Sequence, residues 1–231
     1  MGWSGTSRKW MQVSSGLLLG AFVACAPPEP TPPGGQGPSA GIAAMEPAPQ
    51  MEVASYDATL QVPRCSASGL GCDSEALFDG RGPLGPEPHA PNTLGGTCLD
   101  GSAGTYHSDE SVDRIRLYTT DGSALAPGKE ITIEVSFWAY SIGNRVDLYA
   151  AEDASNPTWT LFQVLTPQGR GANTLTATYT LPEGITGVQA VRAAIRYTGA
   201  SSSCDGEGYN DRDDLAFQVG ASTGCSETMN P

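Results

Sequence analysis

The sequence predicts an all-β protein: an antiparallel β-sandwich, jelly-roll or immunoglobulin-like in topology, stabilised by disulfides. Three observations predict it. Apolar and polar residues alternate with a period of two over about eight segments, the pattern of strands with one buried face. No convincing amphipathic helix stands between those segments. The spacers DGSALAPGK, NPT, TPQGRGAN and PEGITG are turn chemistry.

A strand near Tyr56 to Val62 opens the series. Ile115 and Leu117 then alternate with Arg114, Arg116 and Tyr118. Ile131, Ile133, Val135, Phe137 and Ala139 form one face of the next strand, and Thr132, Glu134, Ser136, Trp138 and Tyr140 the other. Val146, Leu148 and Ala150 alternate with Arg145, Asp147 and Tyr149. Thr158 to Leu165 gives another strand. Leu175, Ala177, Tyr179 and Leu181 alternate with threonines, and Val191, Ala193, Ile195 and Tyr197 with Arg192 and Arg196. Leu215, Phe217 and Val219 close the series. One polar face per strand implies sheets packed on a single inner side. The predicted domain covers 51–220, and about 170 residues is ample for an independent core.

The stretch from Ser66 to Glu110 alternates poorly and is far longer than a normal loop, so something must pin it. Sequence proximity pairs Cys65 with Cys72. Cys98 with Cys204 would join the long stretch to the loop before the last strand. Four cysteines allow three connectivities, so proximity alone carries this pairing. Closing a loop of about 100 residues contributes at most about 4–5 kcal/mol in the chain-entropy account. Cys225 is left over, in a flexible tail at 221–231. A four-cysteine zinc site is the rival, but no CxxC pair exists.

The N-terminus reads MGWSGTSRKWMQVSSGLLLGAFVAC. Arg8 and Lys9 precede an apolar run from Val13 to Ala24, too short to span a bilayer with comfort and right for an export signal. Small residues Gly20, Ala21 and Ala24 approach Cys25. This resembles the bacterial lipoprotein signal, over residues 1–24, with Cys25 as the lipidated first residue; the plain alternative is an ordinary secreted protein cleaved nearby, with Cys25 free or bridged. Phe22 stands where the pattern usually has Leu. Ala26, rather than Asp, after the cysteine implies outer-membrane retention, on the cell surface or the periplasmic face. Residues 25–50 form a Pro-rich tether, with eight prolines among residues 26–50. Such a segment is extended and partly polyproline II. Export also suits disulfides.

The formal net charge is -13, and without residues 1–24 the chain keeps 10 basic residues against 25 acidic. Lys9 and Lys129 are the two lysines. This balance argues against nucleic acid and an anionic membrane surface as partners, and suits calcium, a basic partner or solubility alone.

YDATLQVPRC, GPEPHAPNT, GTYHSDESVDRI, PTWT and SCDGEGYNDRDDLAF, spread over residues 56–219, together resemble an accessory β-module found C-terminal to the catalytic domains of secreted bacterial peptidases of the myxobacterial type. The resemblance implies an all-β targeting or binding appendage, and its cysteines match Cys65, Cys72, Cys98 and Cys204. This chain departs from it in three ways: it has no catalytic domain, it has a lipoprotein signal and tether in that place, and it has Cys225.

Two acidic clusters are candidate calcium ligands: Asp109, Glu110 and Asp113, and Asp211, Asp213 and Asp214. Calcium takes six to eight oxygens, which closely spaced loop carboxylates supply. The plain alternative is a solvated acidic loop, or charge balance by Arg212 and Arg114. Trp138, Tyr140, Tyr118 and Tyr149 are candidate ligand-binding aromatics, since outward rings stack on sugars or anchor protein partners; the plain alternative is that long loops cover that face and bury them. Trp159 reads as a packing residue, and His107 as a hydrogen-bonding loop residue. HExxH and GxSxG are both missing. The expectation is a non-catalytic, surface-displayed lipoprotein module that contacts carbohydrate or an envelope or extracellular protein. The alternatives are a structural accessory subunit of an outer-membrane complex and, lower, a hydrolase.

Overall fold

The computed structural model of the protein describes residues 50–221 apart from Pro83 and Pro86. Cys25, the signal, most of the tether and Cys225 lie outside the described residues. The strands are β1 Met51–Val53, β2 Ser55–Asp57, β3 Val62–Cys65, β4 Gly71–Asp73, β5 Ser111–Thr119, β6 Glu130–Ala139, β7 Arg145–Ala151, β8 Thr160–Leu165, β9 Gly171–Thr180, β10 Gly187–Arg196 and β11 Asp211–Val219. Two short 3-10 turns, Glu75–Phe78 and Leu94–Gly96, are the helical segments among the described residues.

The strands make a β-sandwich. One sheet has the order β1-β4-β5-β6-β9 and the other β2-β3-β11-β10-β7-β8. Two pairings depart from the expected antiparallel pattern: β1 with β4, and β3 with β11, are parallel. A parallel pair needs a crossover connection. For β1 and β4, the β2–β3 hairpin in the opposite sheet is that crossover. The single strand expected from Tyr56 to Val62 is split for a local reason. Asp57 Oδ1 accepts the amides of Thr59 (2.8 Å) and Leu60 (3.1 Å), and Gln61 has a φ of 62°, so the chain turns back there.

The inner faces are those the alternation predicts. Ile131, Ile133, Val135, Phe137 and Ala139 of β6 are fully buried. Ile115 and Leu117 beside them meet Val146, Leu148, Val191, Ala193, Ile195, Leu215, Phe217 and Val219 of the other sheet in one core. Each such side chain contributes about 1.5–3 kcal/mol by leaving water. Leu175, Ala177 and Tyr179 are only partly buried because β9 is an edge strand. Tyr197 is exposed because β10 ends at Arg196.

The second sheet is covered on its outer face as well, which one-sided patterning does not anticipate. Val62, Leu94, Ala154, Ala190 and Ala216 form a smaller core there, with Leu60, Trp159 and Val188 packed against it. Arg192 on β10 lies directly across from Asp214 on β11. Its Nε and Nη2 donate to the two carboxylate oxygens at 2.6 and 2.7 Å, and both side chains are inaccessible to solvent. Trp159 covers the guanidinium, with the ring centroid 4.3 Å from Cζ. Asp214 Oδ2 also accepts the Leu94 amide (2.7 Å), and Arg192 Nη1 donates to the Ser203 carbonyl (2.6 Å). The pair thus holds the stretch 66–110 and the β10–β11 connection against the sheet. Both expected disulfides are present. Cys65–Cys72 joins β3 to β4, and so one sheet to the other, and Cys98–Cys204 joins the two covering segments.

Breaking a buried ion pair strands a charge, while removing both charges does not. Asp214→Ala is expected to destabilise the fold by about 3–5 kcal/mol. Arg192→Met combined with Asp214→Leu is expected to recover most of that loss. Urea unfolding midpoints of the three chains check both.

Candidate functional site

Period two along β11 places Asp211 and Asp213 on the same face as Leu215, Phe217 and Val219, so both carboxylates point between the sheets at one end of the sandwich. Across the gap the Val112 amide of β5 donates to Asp211 Oδ2 at 2.7 Å. The stretch 66–110 closes this end and brings two more acids. The Gly101 amide bonds the Asn210 carbonyl (2.8 Å) and the Ala103 amide the Gly208 carbonyl (2.9 Å), which sets Asp100 beside Asp211. A Cβ at Gly101 would collide with the Gly208 carbonyl, so glycine is required for that approach. Glu87 is fixed by the Gly82 amide on Oε2 (2.7 Å) and by Asn92 Nδ2 on Oε1.

One carboxylate oxygen each from Glu87, Asp100 and Asp211 lies within 4.8 Å of the others. Asp213 is 1% exposed, and its carboxyl reaches Glu87, as that of Asp100 reaches Asp211. Asp100 is exposed in part as a residue, yet both of its carboxylate oxygens are buried. Among the described residues, no N–H or hydroxyl donor reaches either oxygen of Asp100 or Asp213, or Oδ1 of Asp211. Burial first, and mutual repulsion second, push Asp100 up to about 9 and Asp213 well above the usual carboxylate range. The same two causes push Asp211 up to about 7. Burial raises Glu87 too.

Arginine balances the cluster only in part: Arg212 attracts Asp100 and Arg81 attracts Asp211 through space, without an ion pair to either acid among the described residues. Arg212 pairs with Asp205 at 2.8 Å, and Arg114 donates to Asp73 Oδ1 at 2.7 Å. Arg81 donates to the carbonyls of Ala103 and Gly208. Of the six carboxylates expected as metal ligands, Asp211 and Asp213 share a cluster, with Glu87 and Asp100 rather than with the others. Asp214 is committed to Arg192. Asp109 accepts the Thr105 amide (2.8 Å), Glu110 accepts Asn144 Nδ2 (2.6 Å), and Asp113 is bonded by Ser111 (2.7 Å) and His107 (3.2 Å). Glu87 and Asp100 were not legible in advance, because they stand singly in an irregular stretch and only its seat on β11 brings them in.

The four expected aromatics do not form one platform. Tyr149 is 4% exposed, because the covered outer face of the second sheet takes it in beside Arg192. Trp138 stacks on His107 (4.8 Å between centroids), which stacks in turn on Tyr106 (3.8 Å). Tyr118 lies under Arg116. Tyr140 alone of the four joins an exposed group. Its ring meets Tyr197 edge-on at 6.1 Å, and Tyr197 meets Tyr209 at 5.6 Å. These three tyrosines, about 40% exposed each, line a cleft of about 160 Å³ with Asp109 and Glu110. Arg170 lies over the Tyr140 ring at 5.2 Å. Tyr209, within GEGYN, has no periodic partner to announce it.

No family model matches this chain, and no curated protein matches it.

The raised carboxyls set a sign for pH dependence. In the unfolded chain an Asp titrates near 3.9. The fold therefore binds more protons than the unfolded chain above that pH, and stability falls as pH rises. The window runs from about 4 through 7, for Asp211, to about 9, for Asp100. Asp57 and Asp73, lowered with Arg64 and Arg114 beside them, act in the opposite sense only at the acid end. With a chelator present, the melting temperature is expected to fall between pH 5 and 9. Asp100→Asn is expected to flatten the upper part of that fall. Scanning calorimetry in a pH series checks it.

Proposed function

We propose that this protein is a non-catalytic binding module, held at the outer membrane by a lipid on Cys25 and a Pro-rich tether, that takes a carbohydrate in the cleft of Tyr140, Tyr197 and Tyr209. The observation that carries the reading is the grouping of three exposed tyrosine rings around a cleft with Asp109 and Glu110 at its wall. Ring faces stack on the C–H faces of a sugar, and the partly exposed Asp109 carboxylate can accept hydrogen bonds from its hydroxyls, while Glu110 is buried behind the wall. The chain carries a net charge of -13, which favours a neutral or cationic saccharide over an anionic one. Ser111 and His107 support the non-catalytic part. Each bonds a different oxygen of Asp113, and the two are not arranged as a nucleophile bonded to its base.

One observation favours a second reading, an accessory subunit of an envelope complex. β8 is the outer strand of the second sheet, and Leu161 and Val164 on it are exposed, an edge to which another chain can add a strand.

Binding to an array of neutral and amino sugars tests the first reading. Tyr197→Ala and Tyr209→Ala are expected to weaken binding about tenfold or more with unchanged melting temperatures. Tyr118→Ala, outside the cleft, is expected to bind as the parent does. Equal binding by all three variants, no binding by the parent, or release of reducing sugar would contradict it.

A further inference from the structure

The carboxylates at the end of the sandwich have no part in the tyrosine-cleft reading. We propose that Glu87, Asp100, Asp211 and Asp213 form a calcium site that joins the stretch 66–110 to β11. Oxygens on one calcium, each 2.3–2.6 Å from it, stand at most about 5 Å apart. Those of Glu87, Asp100 and Asp211 fit within 4.8 Å. The independent observation is Asp213. It is 1% exposed, it reaches Glu87 of the cluster, and neither of its oxygens receives an N–H or hydroxyl donor. A buried carboxylate with no donor is costly unless a cation or a proton meets it.

The local arginines attract the cluster from a distance, Arg212 acting on Asp100 and Arg81 on Asp211, but make their hydrogen bonds to other groups. No ion pair among the described residues includes any of the four acids. The ligand chemistry selects the ion. All four side chains offer hard oxygens. The two histidines are stacked in other places, His89 on Tyr56 and His107 between Tyr106 and Trp138. The described cysteines are in disulfides. Zinc is thereby disfavoured. Magnesium demands a near-ideal octahedron and keeps several waters, which a four-carboxylate cluster does not suit. Calcium accepts irregular sets and bidentate carboxylates. The site is also assembled in advance. Gly82 and Asn92 hold Glu87, Val112 holds Asp211, and the Gly101–Asn210 bond with the Cys98–Cys204 bridge holds Asp100.

The test is calorimetric titration of the full chain, freed of metal by chelator, with calcium chloride and separately with magnesium chloride, together with thermal melts. The expected result is one calcium per chain at micromolar or lower concentration, at least tenfold weaker magnesium binding, and a melting temperature several degrees higher in 1 mM calcium. Asp213→Asn and Asp100→Asn are expected to weaken calcium at least tenfold and to melt higher than the parent when metal-free, since each removes a buried carboxyl that the crowded fold must otherwise hold protonated. Asp109→Asn is expected to bind calcium as the parent does. No heat and no melting shift up to 10 mM calcium would overturn the proposal, and this arm needs no variant. Equal response to magnesium would overturn the choice of ion. Calcium binding that survives both substitutions in the cluster would overturn the site. The tyrosine variants are expected to leave calcium binding unchanged, so the two readings fail separately.

Discussion

Asp214 and Arg192 neutralise each other on the outer face of the second sheet, out of reach of water, and the arrangement of the covering segments follows from that contact. Asp214 also accepts the Leu94 amide and Arg192 donates to Ser203, so one pair seats both covering segments. With those seated, Cys98 and Cys204 face each other and Gly101 runs alongside Asn210. That alignment brings Asp100 to Asp211 and closes the sandwich end. A charged pair in such a place is weak evidence for added stability in itself. Its consequence here is positional: a stretch with few apolar residues acquires a fixed register against a strand.

The same seating separates two environments that the sequence makes look alike. β11 begins with four charged residues in a row, Asp211 to Asp214. Period two sends Asp211 and Asp213 inward and Arg212 and Asp214 outward. The outward pair find partners in Asp205 and Arg192. The inward pair find two more acids. Proton sharing within the pairs Asp100–Asp211 and Glu87–Asp213 is one way for such a cluster to persist, and a divalent cation is the other. The tyrosine cleft lies where Asp109 and Tyr209, on the same loops, come to the surface with Glu110 buried behind them, so both sites draw on one set of covering segments.

The sandwich was legible because its inner faces obey a simple rule. The alternation from Ile131 to Ala139 marks the buried side of β6 residue by residue, and Leu215, Phe217 and Val219 do so for β11. The disulfides were legible from spacing and from the need to pin a long irregular stretch. Half of the carboxylate cluster was legible as well, in Asp211 and Asp213, because acids bunch there. Glu87, Asp100 and Tyr209 were not. They stand in non-periodic chain, and nothing local says which strand that chain will lie against. Tyr149 follows the alternative reading for a related reason: an outward position is exposed only where nothing covers the sheet, and here the covering loops bury it.

Crystals grown in calcium and diffracted at a wavelength where calcium scatters anomalously would test the central claim most directly. The account predicts one strong anomalous peak enclosed by Glu87, Asp100, Asp211 and Asp213, with carboxylate oxygens at 2.3–2.6 Å. A map with no peak there, and carboxyl oxygens drawn together in short proton-sharing pairs, would contradict it.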